Sequence, residues 1–502
     1  MALTKAHNRM IQGSALNVQD FGAVGDGVAD DTSAIQAAFD AVPSGGSIYF
    51  PEATYSINST LILATTNVRL FGEGRGSILR NDQPMNDNGN VGPNLLQLTT
   101  AQGARIEDLA FHGDQEAGPT DSSPFETRST GHQIYMTGAA PNGWRVVVER
   151  CFFANGYQGV TIEEGGTDVN IVNCEFINHE HPIGIFKAER ILVSGCHSWV
   201  APFRSASGYT QRSITIHMSK NVVITNCILE GAWTSGIYLR MDQNYSTDLY
   251  NININNVAIS GRRAYDDGIY PSARPNGGIY FECAVQAGYG TYKNINVSNV
   301  SFDFVLNALL YNGGLTAGPT AISPEAININ NITVRDCANS FQHTQAQFTG
   351  NSPGFKYSTI SNVTAYGSGT EDGDFRFNGS YCTLSNITLA ASTAAFSAGT
   401  LNEVTNVYDQ SGFPLQTLSK QSLMLVLSGT LDGSGAATIS YPSGYTRDTT
   451  NVMSVKIQNP GTVWNTGYGG VVPTVALGAT TITVDAGATN AGQPYQIILA
   501  VD

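Results

Sequence analysis

The chain has 502 residues, enough for two or three domains and a large core, so a minimal scaffold stapled by disulfides or a metal is excluded. Lys and Arg number 25 against 40 Asp and Glu, a formal net charge of −15, which argues against the basic face that nucleic-acid wrapping needs. Only 13% of residues are charged while 54 are glycine, a balance that disfavours helical bundles and coiled coils and points to a turn-rich, all-β protein.

From the N-terminus, no apolar run of about 18 residues and no continuous apolar stretch behind Lys5 is found, so neither a membrane span nor a secretory signal is expected. The chain therefore reads as made in a cytoplasm, without membrane insertion. Asp30 or Asp31 is placed to cap a helix whose Ile35, Ala38, Phe39 and Val42 form one apolar stripe, suited to plugging the end of a solenoid.

A phrase then recurs: an aliphatic residue, a spacer, Asn, and an apolar residue or Cys. It reads Ile171-Val172-Asn173-Cys174, Ile224-Thr225-Asn226-Cys227, Ile254-Asn255-Asn256-Val257 and onward to Val404-Thr405-Asn406-Val407, with Arg150 and Gly195 in the Asn position of two variants. Successive corners lie 20 to 43 residues apart, the mark of β-solenoid coils with variable insertions. Period-two alternation makes each coil of short strands, and Asn suits a tight corner because it tolerates the left-handed backbone and its amides can ladder. Cys151, Cys174, Cys196 and Cys227 follow that corner as a column of small buried thiols, with no metal spacing and no metal site expected.

A second phrase, Gly-aliphatic-x-aliphatic-x, begins at Gly159, Gly184, Gly236 and Gly278, with Ser213 in the glycine position of another copy and a weaker one from Asn339. Its x positions define two outward columns: Thr161, Phe186, Thr215, Tyr238, Tyr280 and Phe341, beside Glu163, Ala188, His217, Arg240, Glu282 and His343. Beyond Gly412 the Asn phrase stops, and segments such as Ala436–Tyr441 and Thr481–Asp485 alternate as antiparallel strands of a C-terminal β-sandwich.

The segment Val18-Gln19-Asp20-Phe21-Gly22-Ala23-Val24-Gly25-Asp26-Gly27, followed by Asp30-Asp31-Thr32 and Phe50-Pro51, resembles the opening signature of the pectate-lyase-like superfamily, which implies a right-handed parallel β-helix. Ahead of it, Thr4-Lys5-Ala6-His7-Asn8-Arg9-Met10-Ile11 resembles the short N-terminal arm of bacteriophage tail spikes. The two resemblances imply three parts: a virion-attachment arm at 1–17, a capped parallel β-helix at 18–410, and a sandwich at 411–502 that trimerises the protein or binds carbohydrate. They further imply a homotrimer in the virion tail, bound through its arm to the tail or an adaptor. The polygalacturonase motifs are absent, and that activity does not transfer.

Aromatic rings beside acid, imidazole and guanidinium groups are what a polysaccharide groove requires, and the longest insertions flank the coils from 213 to 283. Glu282 is the candidate general acid with Asp242 as partner carboxyl, although a neighbouring Arg240 would lower the Glu282 pKa and suit a base instead. On an acidic glycan the competitor is β-elimination, with His217 or Tyr238 abstracting the proton and Arg240 neutralising the enolate-like charge. Tyr238, Tyr280, Trp233, Phe186, Glu163 and Tyr245 are the expected substrate contacts. Glu163 lies four coils from Glu282, too far to share one bond. No cofactor is expected, and the sequence leaves open a depolymerase of a bacterial surface polysaccharide, hydrolytic or eliminating, or a non-catalytic receptor-binding tail protein.

Overall fold

A computed structural model describes residues 14–82, 94–113, 131–137, 143–163, 165–179, 181–199, 212–231, 234–241, 249–261, 277–283, 292–312 and 324–337. It also describes 339–344, 355–366, 374–377, 379–389, 396–397, 403–409, 423–440, 450–458, 464–465, 474–477, 481–486, 488, 491 and 494–501. The expected arm at 1–17 falls mostly outside these residues. The chain divides into two compact units, with the main break near residue 415.

The first unit is a parallel β-helix. Its strands form a 12-stranded parallel sheet on one face and a 23-stranded parallel sheet that wraps the other two. The wrapping is possible because the corner asparagines, Asn173, Asn226, Asn256, Asn299, Asn331, Asn362, Asn386 and Asn406, all sit at φ between 53° and 55°. One left-handed residue bends the strand without breaking its pairing, which is how Lys220–Glu230 and Leu249–Ser260 run as single strands through the corner. Amide ladders join the corners: Asn331 donates to Asn299 at 2.6 Å, Asn386 to Asn362 at 3.0 Å and Asn406 to Asn386 at 2.9 Å.

Register follows the apolar alternation. Val148, Ile171, Val193, Ile224, Ile254 and Val297 stack coil on coil, each fully buried. Each such residue is worth ~1.5–3 kcal/mol of burial, and a one-residue slip would turn the whole column to solvent. Phe111, Phe153 and Phe176 form a second column with nearly parallel rings, 5.1 and 4.7 Å apart. Cys151, Cys174 and Cys196 are buried free thiols whose sulfurs reach the carbonyls of Ile106, Val148 and Ile171 at 3.5–3.6 Å. Burial pushes the Cys174 thiol well above its ordinary value, leaving it unreactive.

The helix spans Thr32–Ala41 and buries Ile35, Ala38 and Phe39 as its stripe predicts. Its capping is divided between the two aspartates. Asp31 occupies the cap position but turns its carboxylate back to the backbone N–H of Val24 at 2.6 Å, while Asp30 accepts from the Thr32 N–H at 3.0 Å. In the second unit the strands pair antiparallel in sheets of four and three, as a sandwich requires, and the two segments singled out in the sequence pair with each other, Ala436 opposite Asp485.

A β-branched residue at an Asn corner forfeits both the permitted backbone and the ladder bond. Asn331→Val is expected to destabilise the β-helix by about 1–2 kcal/mol, and Asn331→Gly by less because glycine keeps the turn. Denaturant midpoints check the order; equal losses would show that the corner conformation carries no cost.

Candidate functional site

The 12-stranded sheet carries the candidate groups, and its strands depart from simple alternation at their first residues. A Cβ at Gly236 would lie 2.5 Å from Ile259, and one at Gly278 would lie 2.3 Å from Phe302, so these glycines face the core immediately before the inward Ile237 and Ile279. Two successive inward positions turn the residue ahead of them outward. A column the sequence reading missed thereby opens: His132, Gln158 and His181, continued by Arg212 opposite Ser235.

The second outward column runs Tyr135, Thr161, Gly184, Thr215, Tyr238, Tyr280 and Leu310. The third runs Phe186, His217, Arg240 and Glu282. Glu163 begins it, because Ile162 pairs with Ile185. These registers correct the expected columns in two places. Phe186 stands with His217, not with Thr161, because Pro182 rather than Gly184 is the counterpart of Gly159; Ala188 is buried past the strand end. The coil at Asn307–Asn312 was passed over, so Phe341 aligns with Leu309 and His343 with Tyr311, both core positions.

The third column sets His217, Arg240 and Glu282 on three consecutive strands, about 4.8 Å per step. All three side chains are partly exposed, as are Phe186 and Tyr280. Tyr238 is not: at 1% exposure it cannot be the sugar-stacking ring or the base that the sequence suggested. Its ring lies 3.6 Å beneath the Arg212 guanidinium and 5.3 Å from the Tyr280 ring, so it supports its neighbours from below. Beneath Glu282, the buried Tyr292 hydroxyl reaches the backbone carbonyls of both Leu239 and Glu282, tying the Arg240 and Glu282 strands together. His217 packs edge-on against Phe186, ring centroids 5.9 Å apart. Glu163, four strands from Glu282, accepts from the Tyr135 hydroxyl at 2.6 Å and belongs to a separate part of the face. Asp242, Trp233 and Tyr245 lie outside the described residues.

Electrostatically, Glu282 reverses the sequence expectation. Burial pushes its carboxyl above the ordinary value, and the opposing charge that acts on it comes from Arg212. A carboxyl with a raised pKa thus stands next to Arg240 in its column and within reach of the Arg212 charge. His181 is held neutral, pulled down to about 3 by burial and then by the charges of Arg212 and His132; burial alone takes His132 to about 4. Among the described residues no group of three His, Cys, Asp or Glu side chains is placed to hold a metal ion. The arrangement favours the acid form of Glu282 and can hold negative charge at Arg212 and Arg240.

Residues 15–186 match the family model described as rhamnogalacturonase A/epimerase, pectate lyase-like. Over those residues, about a third of the chain, the β-helix is similar to that pectate-lyase-like family. The A-module of mannuronan C-5 epimerase AlgE6 from Azotobacter vinelandii is similar in structure with a TM-score of 0.58 at 18% identity, over 78% of this chain and 98% of that one. A tailspike of Pseudomonas phage phi297 aligns over 97% of this chain and 98% of its own, at a TM-score of 0.43 and 14% identity. In sequence, plasmin and fibronectin-binding protein A of Streptococcus pneumoniae is 29% identical over 190 residues, 34% of this chain and 25% of that protein. The chain spans a quarter or less of the curated relatives it matches.

Because the folded protein keeps the Glu282 proton where the unfolded chain has released it, stability falls as pH rises from the ordinary Glu value of 4.5 to the raised one and stays lower above it. Glu282→Gln removes that fall. Thermal melts are expected to coincide with wild type below the ordinary value and to lie higher for the variant at neutral pH; a lower neutral melting temperature would show Glu282 to be a stabilising carboxylate.

Proposed function

We propose that this protein is a tail-spike depolymerase that cleaves a bacterial surface polysaccharide, capsule, exopolysaccharide or O-antigen, by glycoside hydrolysis, with Glu282 as general acid. The observation that carries this reading is the Glu282 carboxyl, its pKa raised by burial, at a partly exposed position on a solenoid face and next to Arg240 in its column. A hydrolase needs a proton at the leaving oxygen and a second carboxyl opposite; Asp242, two residues beyond Arg240, is assigned the partner role. Tyr280, Phe186, Trp233 and Tyr245 would stack on or border the sugars, and Arg212 would hold the face around Tyr280 and Glu282. The tail-spike assignment rests on the Thr4–Ile11 phrase leading directly into the Asp20–Gly27 phrase, and with it go a homotrimer, attachment to the virion tail or an adaptor, and synthesis in the host cytoplasm.

One set of observations favours a second reading, β-elimination on an acidic glycan. Arg212 and Arg240 bring positive charge beside a carboxyl whose pKa burial raises, which suits a uronate carboxylate and the charge that develops beside it. In that chemistry His217 or Tyr280 takes the α-proton and Glu282 donates to the leaving group.

Purified protein incubated with capsular and O-antigen polysaccharides separates the two. Hydrolysis is expected to release reducing ends without the ultraviolet absorbance of an unsaturated product, with a rate that declines as pH climbs through the Glu282 pKa. Glu282→Gln is expected to lower that rate by about 10²–10⁴-fold. Ultraviolet absorbance would transfer the assignment to elimination, and full activity in the variant would remove Glu282 from the chemistry.

A further inference from the structure

Of the aromatic rings anticipated on the outward sheet, Tyr238 is buried and Phe186 and Tyr280 are partly exposed, and more exposed rings stand elsewhere. Among the described residues the exposed aromatic side chains are Tyr357, Tyr366, Tyr381 and Tyr408, all within the last coils of the β-helix. Tyr357 and Tyr381 form a pair, 63% and 56% exposed, with ring centroids 5.7 Å apart and planes within 19° of parallel.

Their backbone makes the pair unusual. The strand register runs Glu189, Lys220, Tyr250, Lys293, Glu325, Lys356 and Ser380, and the residue after each occupies a second left-handed corner. Asn221, Asn251 and Asn294 fill that corner in the middle coils and ladder through their amides at 2.9 and 2.6 Å. Tyr357 and Tyr381 take the same corner at φ 49° and 59°, a conformation that costs a bulky side chain more than it costs Asn. Arg190 fills this corner before the ladder and Ala326 after it, and the next two coils place a strained, solvent-facing tyrosine there, twice in succession. No structural gain accompanies the placement, since both rings remain more than half exposed.

We propose that Tyr357 and Tyr381 form an accessory saccharide-binding platform that stacks on the apolar faces of pyranose rings, apart from the Glu282 face. The chemistry selects a sugar over other planar or extended ligands. The chain's net charge of −15 disfavours a nucleic-acid strand that would stack on the same rings. Two tyrosines bury at most a few hundred Å², far below the ~800 Å² per partner of a stable protein interface but comparable with one or two sugar rings. Tyr357 and Tyr381 sit two and three coils beyond Glu282, so a long glycan could touch both sites at once and gain avidity, whereas a short one would reach only the cleft. This inference shares with the proposed function only the premise that the ligand is a polysaccharide.

The test uses the full chain with Glu282→Gln to stop turnover, run in affinity gels containing the capsular and O-antigen polysaccharides, with and without Tyr357→Asn and Tyr381→Asn together. Asparagine restores the residue that the corner carries elsewhere, so the double variant is expected to melt no lower than its parent while its dissociation constant for the polysaccharide rises at least tenfold. Cleavage of a short oligosaccharide by the otherwise wild-type double variant is expected to be unchanged. Equal retardation of both proteins would overturn the platform while leaving the Glu282 reading intact. A change in oligomeric state with unchanged retardation would reassign the pair to a contact between copies of the chain. No retardation of either protein by any polysaccharide would overturn the platform and the proposed function together.

Discussion

Everything in this molecule depends on register between parallel coils, and register depends on two things acting together: inward aliphatic columns that tolerate no slip, and left-handed corners that bend the chain at a fixed place. A corner residue out of place by one would send Ile224 or Ile254 to solvent. Because every coil repeats the bend, side chains far apart in sequence, such as His217, Arg240 and Glu282, arrive one above another without any loop having to place them.

The outward sheet shows what such stacking does to charge. Thr215 and Tyr238 are buried although their phase directs them away from the core, so the groups beside them lose much of their water. Glu282 responds with a raised pKa and His181 and His132 with lowered ones, while the Arg212 guanidinium lies over the Tyr238 ring. The opposite outcome occurs on the other sheet, where Glu107 is nearly buried but accepts from Arg69 at 3.1 Å and from Arg105 at 2.9 Å. Those guanidinium partners outweigh burial and hold its carboxyl at about 2. Two desolvated glutamates, one buried and one partly exposed, thus divide by their partners: ion pairs lower the pKa of Glu107, and burial raises that of Glu282.

The periodic parts of the structure were legible in the sequence. The Asn corners, the cysteine column, the helix stripe and the antiparallel C-terminal strands each follow from a repeat or a local pattern. What escaped the reading had a common cause: period-two alternation is blind to a slip of two. Gly184 invited alignment with Gly159 and displaced Phe186, while the coil at Asn307–Asn312, having no glycine in its phrase, was skipped. Arg212 and His181 were invisible because they precede the paired inward positions, where alternation fails. Tyr238 looked like a surface ring because its phase is outward, and burial on an outward face is not written in phase. The Glu282 pKa was anticipated with the wrong sign for the same reason, since the neighbouring Arg240 was visible and the loss of water was not.

The central claim is that solenoid stacking raises the Glu282 pKa on a partly exposed face beside Arg240 and within reach of Arg212. Infrared difference spectroscopy between wild type and Glu282→Gln, followed through a pH titration, measures that pKa directly. The account predicts a carboxylic-acid C=O band, absent from the variant, that persists above the ordinary Glu value of 4.5 before it titrates away. A band lost at or below that value would mean that the cations prevail over burial, and Glu282 would then be an ionised carboxylate with no proton to give.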